Sequence, residues 1–449
     1  MTDDAHRPRY HFVVPQRCAR PADPNGAIYW RGRYHLMYIY QDPDLPHGGH
    51  CWGHASSADL LHWTQHPPSI VPQTGDADLG SYSGNAFINL DGDATILYHG
   101  CQAGNCIATS NDDDLNTWRK LSTNPIVAKP AADHPDAKLY SSWDPHGWVE
   151  DGRYFAVFGG QLETGAPATL FTGDDLANWK YQGPFLTNDL PGVDDFEDIS
   201  CPDFFALGER HGLLCISHAR GCRLYLGDWD GRRFNPHEHV RMNWSGGACF
   251  APESLLAPDG RRLFWAWAID PRPIDIVTAA GWSGVMILPR ELALADDGEL
   301  RIRPAREVEQ LRGKPCAPGD IQGDELELQL DMQLSDDAVA GVAVRCAPDG
   351  REQTVILCDV PAGEVRIDLS RSTADPAVTY PAFIIGRDDA PPVTAQVAPY
   401  TFNPDRTVRL RLFIDHSILE VFVDERLCMT QRLFPARPDS RGVKVICEA

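Results

Sequence analysis

Several features that would direct this sequence to a particular protein class are absent. No run of about 18 apolar residues occurs, and the first residues, MTDDAHRP, contain no apolar signal core, so we expect no membrane span and no secretion signal. Helical periodicity is nearly absent as well. The 13 cysteines include no C-x-x-C pair, which argues against structural zinc and a disulfide framework. These absences favour a reducing cytoplasm.

Positive charge is also scarce. The chain has 40 lysines and arginines against 63 aspartates and glutamates, which gives a formal net charge of −23. Such a surface repels polyanions, so we expect neither nucleic acid nor an anionic membrane as a partner. The 16 histidines show no metal-ligand spacing, and no metal or other cofactor is predicted. His146 and His218 stand alone and are interpreted as structural groups or as groups at a substrate's edge.

What the sequence does contain is a repeat with the pattern D-L-x-x-W. Its copies begin at Asp59, Asp114 and Asp175, which are 55 and 61 residues apart, and a related D-G-R-R-F begins 55 residues later. Between the copies lie β-rich pairs of segments joined at Gly or Asp-Gly, which is typical of hairpins. Five such hairpins occur, at 26–38, 86–98, 147–158, 203–216 and 253–268. This repeat predicts a five-bladed β-propeller.

The pattern changes after residue 302. Residues 303–320 are polar and rich in Pro and Gly, and they are predicted to form a linker. From 321 to 449, segments such as 325–332 and 407–415 alternate polar and apolar residues, which is typical of a β-sandwich. The predicted fold is therefore all-β, with a five-bladed β-propeller over residues 1–302 followed by a linker and a C-terminal β-sandwich.

Two aspartates occupy equivalent places in this repeat. Asp23 precedes Pro24 in blade one, and Asp144 precedes Pro145 in blade three. The first residues of the innermost strands of a propeller converge at one mouth of the central channel, so we expect these carboxylates to face one pocket. A pair of carboxylates across a pocket is what glycoside hydrolysis requires. Alone, Asp23 before Pro-Asn-Gly would be explained better as the cap of a turn, and the pair could be a turn residue that was duplicated with the repeat.

A glycosidase also needs a proton donor, usually a Glu whose pKa is raised. Glu197, Asp198, Glu253 and, as a weaker candidate, Asp203 lie near the predicted mouth. Repulsion within the acidic loop 194–198 could raise one pKa there, although a solvated acidic turn explains the same residues. Glu253 has small or apolar neighbours, which favours a desolvated acid, but a hydrogen-bonded structural Glu would look the same.

Sugar sites offer aromatic faces and polar edges. Trp52, Tyr82, Ser83 and Trp143 fall at the predicted blade edges, and we expect them to bind the substrate together with Glu253. The tryptophans of the D-L-x-x-W repeat are instead predicted to belong to the core, because they recur at regular blade spacing.

Several motifs together resemble glycoside hydrolase family 32, the β-fructofuranosidases. Those motifs are Asp23-Pro-Asn-Gly26, Trp52-Gly-His54, Trp143-Asp144-Pro145, Ser200-Cys-Pro-Asp203 and Glu420-Val-Phe-Val-Asp424. The resemblance implies a propeller followed by a sandwich, and a retaining hydrolase acting on fructofuranoside oligosaccharides. It also implies that Asp23 is the nucleophile and Asp144 the transition-state stabiliser, and that Trp52, Tyr82 and Ser83 line the sugar pocket.

Four positions depart from the family pattern. Ala22 and Ile39 stand where the family has Asn and Gln, and Trp143 stands where it has Arg. Ser200 stands where the family has its acid/base Glu. A serine hydroxyl, whose pKa lies far above 7, cannot serve as a general acid.

Three explanations of these departures remain open. In the first, another carboxylic acid acts on a changed substrate: Glu197 by preference, with Glu253 as its close rival and Asp198 as a further candidate. Alternatively, the protein binds carbohydrate without catalysis. In the third explanation it uses substrates whose leaving group needs little protonation, or it transfers fructosyl groups. Because Asp23 and Asp144 are both kept, we interpret the departures as an altered substrate.

Overall fold

The computed structural model describes residues 4–16, 19–45, 49–160, 167–186, 192–385 and 390–448. Between residues 24 and 304 its strands form five sheets. Strands that follow each other along the chain are neighbours in each sheet, except that the short last strand of the second sheet pairs with the third strand of that sheet. The first sheet contains β1 Pro24–Trp30, β2 Arg33–Gln41, β3 His50–Ser57 and β4 Trp63–Ile70, and the second contains β5 Ser81–Ile88, β6 Ala94–Gly100, β7 Gly104–Ser110, β8 Arg119–Lys120 and β9 Val127–Ala128. The third contains β10 Pro145–Glu150, β11 Arg153–Gly159, β12 Ala168–Gly173 and β13 Trp179–Pro184, and the fourth contains β14 Ser200–Leu207, β15 Arg210–Ser217, β16 Gly221–Trp229 and β17 Phe234–Arg241. The fifth contains β18 Cys249–Leu256, β19 Arg262–Ala268, β20 Arg290–Leu294 and β21 Leu300–Pro304.

The first strands of the five sheets form a ring. β1 packs against β5, β5 against β10, β10 against β14, and β14 against β18, and β18 packs back against β1. The sheets are thus blades around a common channel, and the five-bladed propeller predicted from the repeat is confirmed.

The D-L-x-x-W repeat forms the turn into the outermost strand of a blade. In blade one, the Asp59 carboxylate accepts hydrogen bonds from the backbone N–H groups of Leu61 and His62 at 3.0 and 2.8 Å. In blades two and three, the indole N–H of Trp118 or Trp179 donates to a carbonyl three residues earlier. These side chains are partly buried and pack against the core, so the repeat is structural.

Beyond the propeller, two sheets face each other. One consists, in sheet order, of β22 Glu325–Gln333, β27 Thr407–Asp415, β28 Ile418–Val423 and β29 Leu427–Arg432. The other consists of β26 Ala395–Pro399, β25 Glu364–Arg371, β24 Gln353–Asp359, β23 Val339–Cys346 and β30 Gly442–Glu448. A separate apolar core fills the space between them, with Val342, Ile356, Leu410 and Val421 fully buried. The β-sandwich is therefore confirmed, while the division at residues 302 and 320 stays a prediction.

Helices are short and few in the described ranges. The α-helix α1 spans Ile274–Ala280, between β19 and β20, and three 3₁₀ helices span Pro135–Lys138, Arg306–Leu311 and Pro318–Asp320. Within the part of the chain that the structure describes, no helix is long and apolar enough to cross a membrane.

A buried polar network joins the propeller to the sandwich. His11 lies between two carboxylates of the sandwich, with Nδ1 2.9 Å from Asp415 Oδ2 and Nε2 2.9 Å from Glu420 Oε1. The guanidinium of Arg290, in blade five, donates to Glu420 Oε2 at 2.7 Å, and the backbone N–H of Leu288 donates to its other oxygen. Glu420 thereby connects three distant segments of the chain.

We expect Glu420→Gln to lower the free energy of unfolding by about 3–5 kcal/mol, because Arg290 and His11 would lose a buried anionic partner. Urea unfolding at pH 7 measures this loss. The matched control is Glu299→Gln, since Glu299 forms an exposed pair with Arg301, and its effect should be at most about 1 kcal/mol. Equal losses in the two variants would show that the network does not stabilise the junction.

Candidate active site

Irregular strand starts shape one mouth of the channel. Four of the five innermost strands, all except β10, contain a β-bulge near their first residue. In three of them the chain also has a positive φ, 54° at Gly26, 45° at Cys201 and 48° at Ala251. Side chains rarely tolerate this region, so the surroundings must hold Cys201 there. Because a bulge redirects side chains, Cys201 points at two carboxylates.

Those carboxylates belong to Asp23 and Asp144, which the structure brings together as predicted from their equivalent places in the repeat. Asp23 Oδ2 accepts a hydrogen bond from Ser83 Oγ at 3.0 Å, and Asp144 Oδ2 accepts one from the backbone N–H of Cys201 at 3.1 Å. The Cys201 sulfur lies 3.8 Å from Asp23 Oδ2 and 3.7 Å from Asp144 Oδ2. Both aspartates are buried.

The environment of Asp23 changes its acidity. Burial raises the pKa of Asp23 to about 6; the hydrogen bond from Ser83 opposes this rise, and the nearby charge of Asp144 adds to it. Its Oδ1 atom makes no hydrogen bond to any residue within the described ranges. Burial also raises the pKa of the Cys201 thiol, so the sulfur beside the carboxylates is neutral at physiological pH. Asp23 is thus a buried carboxylate, mostly ionised at pH 7, with one free oxygen.

A row of aromatic rings borders the carboxylates. The ring centroids of His50 and Tyr82 are 4.7 Å apart, and those of Tyr82 and His99 are 5.5 Å apart. The row continues to Trp143, 4.9 Å from His99, and then to His218, 6.4 Å from Trp143. We call these five residues the aromatic rim. Flat faces of this kind suit the apolar side of a sugar.

The residues predicted to bind substrate therefore occupy different places. Tyr82 and Trp143 lie on the aromatic rim, and Ser83 contacts Asp23. Trp52 is fully buried, and its indole N–H donates to the backbone carbonyl of Tyr82 at 2.8 Å. Trp52 thus supports the rim from behind.

The environment of Glu197 does not suit the proton-donor role predicted from the sequence. Its carboxylate is fully buried and forms ion pairs with Arg223 at 3.0 Å and with Arg241 at 2.5 Å. Burial alone would raise the pKa of Glu197, but the two arginines outweigh it and lower the pKa. A carboxylate that is held ionised has no proton to give, so we withdraw this assignment.

Glu253 has a raised pKa but lies within the channel. Burial raises its pKa, and the charge of Asp203 adds to the effect. The carboxylate accepts a hydrogen bond from the backbone N–H of Ala27 at 3.1 Å. Arg262 is close to both carboxylates. Neither Asp23 nor Asp144 is among the partners of Glu253 in the described ranges, so the predicted roles of acid and of substrate ligand lack support.

Asp198 faces the mouth and holds His218. Asp198 Oδ2 lies 2.6 Å from His218 Nδ1, and Oδ1 accepts the backbone N–H of His218 at 2.9 Å. Ser200 Oγ donates to Asp198 at 2.8 Å and accepts from the indole N–H of Trp143 at 2.8 Å. Burial alone would lower the pKa of His218, but Asp198, Asp144 and Asp23 raise it.

His218 is therefore not the lone group that the sequence indicated. Sequence reasoning also missed His99 and Cys201. A signal existed for His218: it directly follows the last residue of β15, the antiparallel partner of β14, so it had to return to the mouth at which β14 begins.

Comparison with known proteins identifies the family. The family models for the N-terminal and C-terminal domains of glycosyl hydrolases family 32 match residues 11–304 and 299–449. A sucrose-6-phosphate hydrolase of Klebsiella pneumoniae is 30% identical over 97% of this chain and 90% of its own. A levanase of Bacillus subtilis is 27% identical over 99% of this chain and 68% of its own.

Solved structures show the same architecture. Fructan 1-exohydrolase IIa from Cichorium intybus superposes with a TM-score of 0.76 at 22% identity, covering 99% of this chain and 95% of its own. A sucrose-6-phosphate hydrolase from Lactobacillus gasseri gives a TM-score of 0.78 at 22% identity, covering 99% and 91%. With both family domains matched over nearly its whole length, this chain is a glycosidase and belongs to glycosyl hydrolase family 32.

Proposed function

We propose that the protein is a retaining glycosidase that hydrolyses β-fructofuranosides, with Asp23 as nucleophile and Asp144 as transition-state stabiliser. The observation that carries this proposal is the pair of buried carboxylates on either side of Cys201. The names of the relatives, which include sucrose-6-phosphate hydrolase and levanase, support a substrate with a terminal fructofuranosyl group.

In the first step, an Asp23 oxygen attacks the anomeric carbon while the glycosidic oxygen leaves, which forms a covalent fructosyl ester. Asp23 must be ionised to attack, and a pKa of about 6 leaves it mostly ionised at neutral pH. Its unbonded Oδ1 atom is available for the new bond. Water then hydrolyses the ester with a second inversion, so the configuration of the sugar is retained.

Asp144 is suited to a different task. Its Oδ2 atom is held by the backbone N–H of Cys201, and Oδ1 lies 3.4 Å from His99 Nδ1. A fixed negative charge beside the sugar favours the positive charge that develops at the anomeric centre. The same carboxylate can accept hydrogen bonds from sugar hydroxyls.

The altered pocket bears on the choice of substrate. Ala22 and Ile39 are fully buried and offer no polar group to a sugar. Trp143 supplies a flat ring at the place where the family has Arg. We therefore propose a fructofuranoside whose remaining part stacks on the aromatic rim. We also propose a cytoplasmic location, which the free thiols of the twelve described cysteines support.

Activity on a panel of fructosides tests the assignment of Asp23. Wild type should release free fructose from at least one of sucrose, sucrose 6-phosphate, levan or inulin. Asp23→Asn should lower kcat on the order of 10⁴-fold, because the covalent step is lost. Asp228→Asn, at an exposed carboxylate of blade four, is the control and should keep full activity.

Other results would redirect the assignment. Sugar binding without turnover by wild type would favour a carbohydrate-binding protein. New oligosaccharides in place of free fructose would favour fructosyl transfer. Full activity of Asp23→Asn would rule out this nucleophile.

The pH dependence tests the environment of Asp23. Because attack requires the ionised form, kcat/KM should fall as pH drops through about 6, the raised pKa of Asp23. Ser83→Ala removes a hydrogen bond that favours the ionised form, so the acidic limb should move up by about 1 pH unit. Ser81→Ala is the matched control, because Ser81 lies on the same strand as Ser83 but donates to the backbone carbonyl of His50 instead of to Asp23. An acidic limb that does not move in Ser83→Ala would contradict the assigned hydrogen bond.

A further inference from the structure

The proposed hydrolysis needs a proton donor for the departing oxygen, and the chain lacks one at the family position. The Ser200 hydroxyl cannot transfer its proton to a leaving group near neutral pH, and the Glu197 carboxylate is paired with two arginines. Building on the proposed function, we infer that His218, oriented by Asp198, is the general acid and base of this site. The inference follows from the position of the imidazole, its partner and its exposure.

The position of His218 follows from strand pairing. In blade four, Ser200 of β14 pairs with Ile216 of β15, so His218, two residues later, projects beyond the start of β14. Ser200 Oγ and His218 Nδ1 both contact Asp198 Oδ2, at 2.8 and 2.6 Å. The imidazole is therefore linked by two hydrogen bonds, through one oxygen of Asp198, to the position at which the family carries its acid.

One nitrogen of His218 is held and the other is open. Two contacts to Asp198 fix the orientation of the residue, one through Nδ1 and one through the backbone N–H. Nε2 makes no hydrogen bond to any residue of the described ranges, and 36% of the side chain is exposed. A carboxylate on Nδ1 that leaves Nε2 free is the arrangement in which histidine serves as acid and base.

The charges around the ring favour its protonated form. Asp198, Asp144 and Asp23 all raise the pKa of His218. Cys201 carries a neutral thiol beside both catalytic carboxylates, and the guanidinium of Arg223 donates to the backbone carbonyl of Asp198. Trp143 and Phe250 border the ring with centroids 6.4 and 6.1 Å away. These charges therefore favour the protonated imidazole, which is the form that a general acid needs.

The proton balance closes over two steps. As the glycosidic C–O bond breaks and the Asp23 ester forms, Nε2–H passes its proton to the leaving oxygen, which leaves a neutral imidazole. In the second step, Nε2 takes a proton from the attacking water while the water oxygen bonds to the anomeric carbon. In the same displacement the bond between the anomeric carbon and Asp23 breaks and releases the carboxylate, and both groups return to their starting charge.

The test compares two leaving groups. On sucrose, or on another alkyl fructoside that wild type cleaves, His218→Gln should lower kcat/KM by about 10²–10⁴-fold. On 4-nitrophenyl β-fructofuranoside, whose leaving group needs little protonation, release of the first nitrophenolate should fall by less than about 10-fold, and the later turnovers should be slow. Azide, a nucleophile that needs no base, should restore turnover and give a fructosyl azide.

Two matched variants separate this inference from the proposed function. Asp23→Asn should be inactive on both substrates and should not respond to azide. His237→Gln should behave as wild type, because His237 is also paired with an aspartate in blade four but is 62% exposed. If Asp23→Asn is inactive while His218→Gln keeps full activity on sucrose, the inference about His218 fails and the proposed function stands. If wild type cleaves neither substrate, both fail.

A pH profile of Asp198→Asn gives an independent readout. The acid form of His218 is required in the first step, so kcat/KM should fall as pH rises through the pKa of His218. Replacing Asp198 removes the charge that raises this pKa, so the alkaline limb should move down by at least about 1 pH unit. An alkaline limb that stays in place, or a His218→Gln variant that loses activity equally on both substrates, would overturn the assignment.

Discussion

Burying two carboxylates beside one another is costly, and the mouth of this propeller depends on how that cost is met. In the described ranges, no lysine or arginine forms an ion pair with Asp23 or Asp144, and the basic group beside the pair is the His99 imidazole, 3.4 Å from Asp144. Their oxygens instead receive hydrogen bonds from a hydroxyl and a backbone N–H. Neutral donors stabilise the charge without neutralising it, so the pair can respond to a substrate that becomes positive as it reacts. The strained backbone at Cys201 is what presents that N–H.

Two arginines of blade four form ion pairs with a different carboxylate, that of Glu197. Arg223 and Arg241 bind Glu197 behind the mouth, while Arg223 also donates to the backbone of Asp198. These arginines fix the loop that carries Asp198, and Asp198 fixes His218. Glu197, which the sequence predicted to be catalytic, thus has a structural role. It anchors Asp198, the residue that orients the imidazole of His218. Further from the mouth, a second group of ionisable residues lies in the channel, formed by Asp203, Glu253 and Arg262.

The fold was predictable because short-range features of the sequence specify it. Turn glycines and strand alternation specify hairpins, and five hairpins of similar length at a regular spacing of about 55–61 residues are typical of a propeller ring. Equivalent positions in that ring predicted that Asp23 and Asp144 would meet. Side-chain partners could not be obtained in this way. Glu197 pairs with residues 26 and 44 positions away, and neither spacing follows from the repeat. His218 could be placed at the mouth by strand register, but its bond to Asp198 depends on the path of an irregular loop.

The junction around Glu420 has a consequence for how the molecule is made. His11 is synthesised long before its partners, which lie 404 and 409 residues later in the chain. Gly284 and Val14 pair near the same place, so the N-terminal segment closes onto blade five as well as onto the sandwich. A growing chain on the ribosome therefore has no final position for its first residues until β28 has emerged. Such long-range closure slows folding and leaves apolar edges exposed in the meantime, so the newly made protein should depend on chaperones until its last domain is complete.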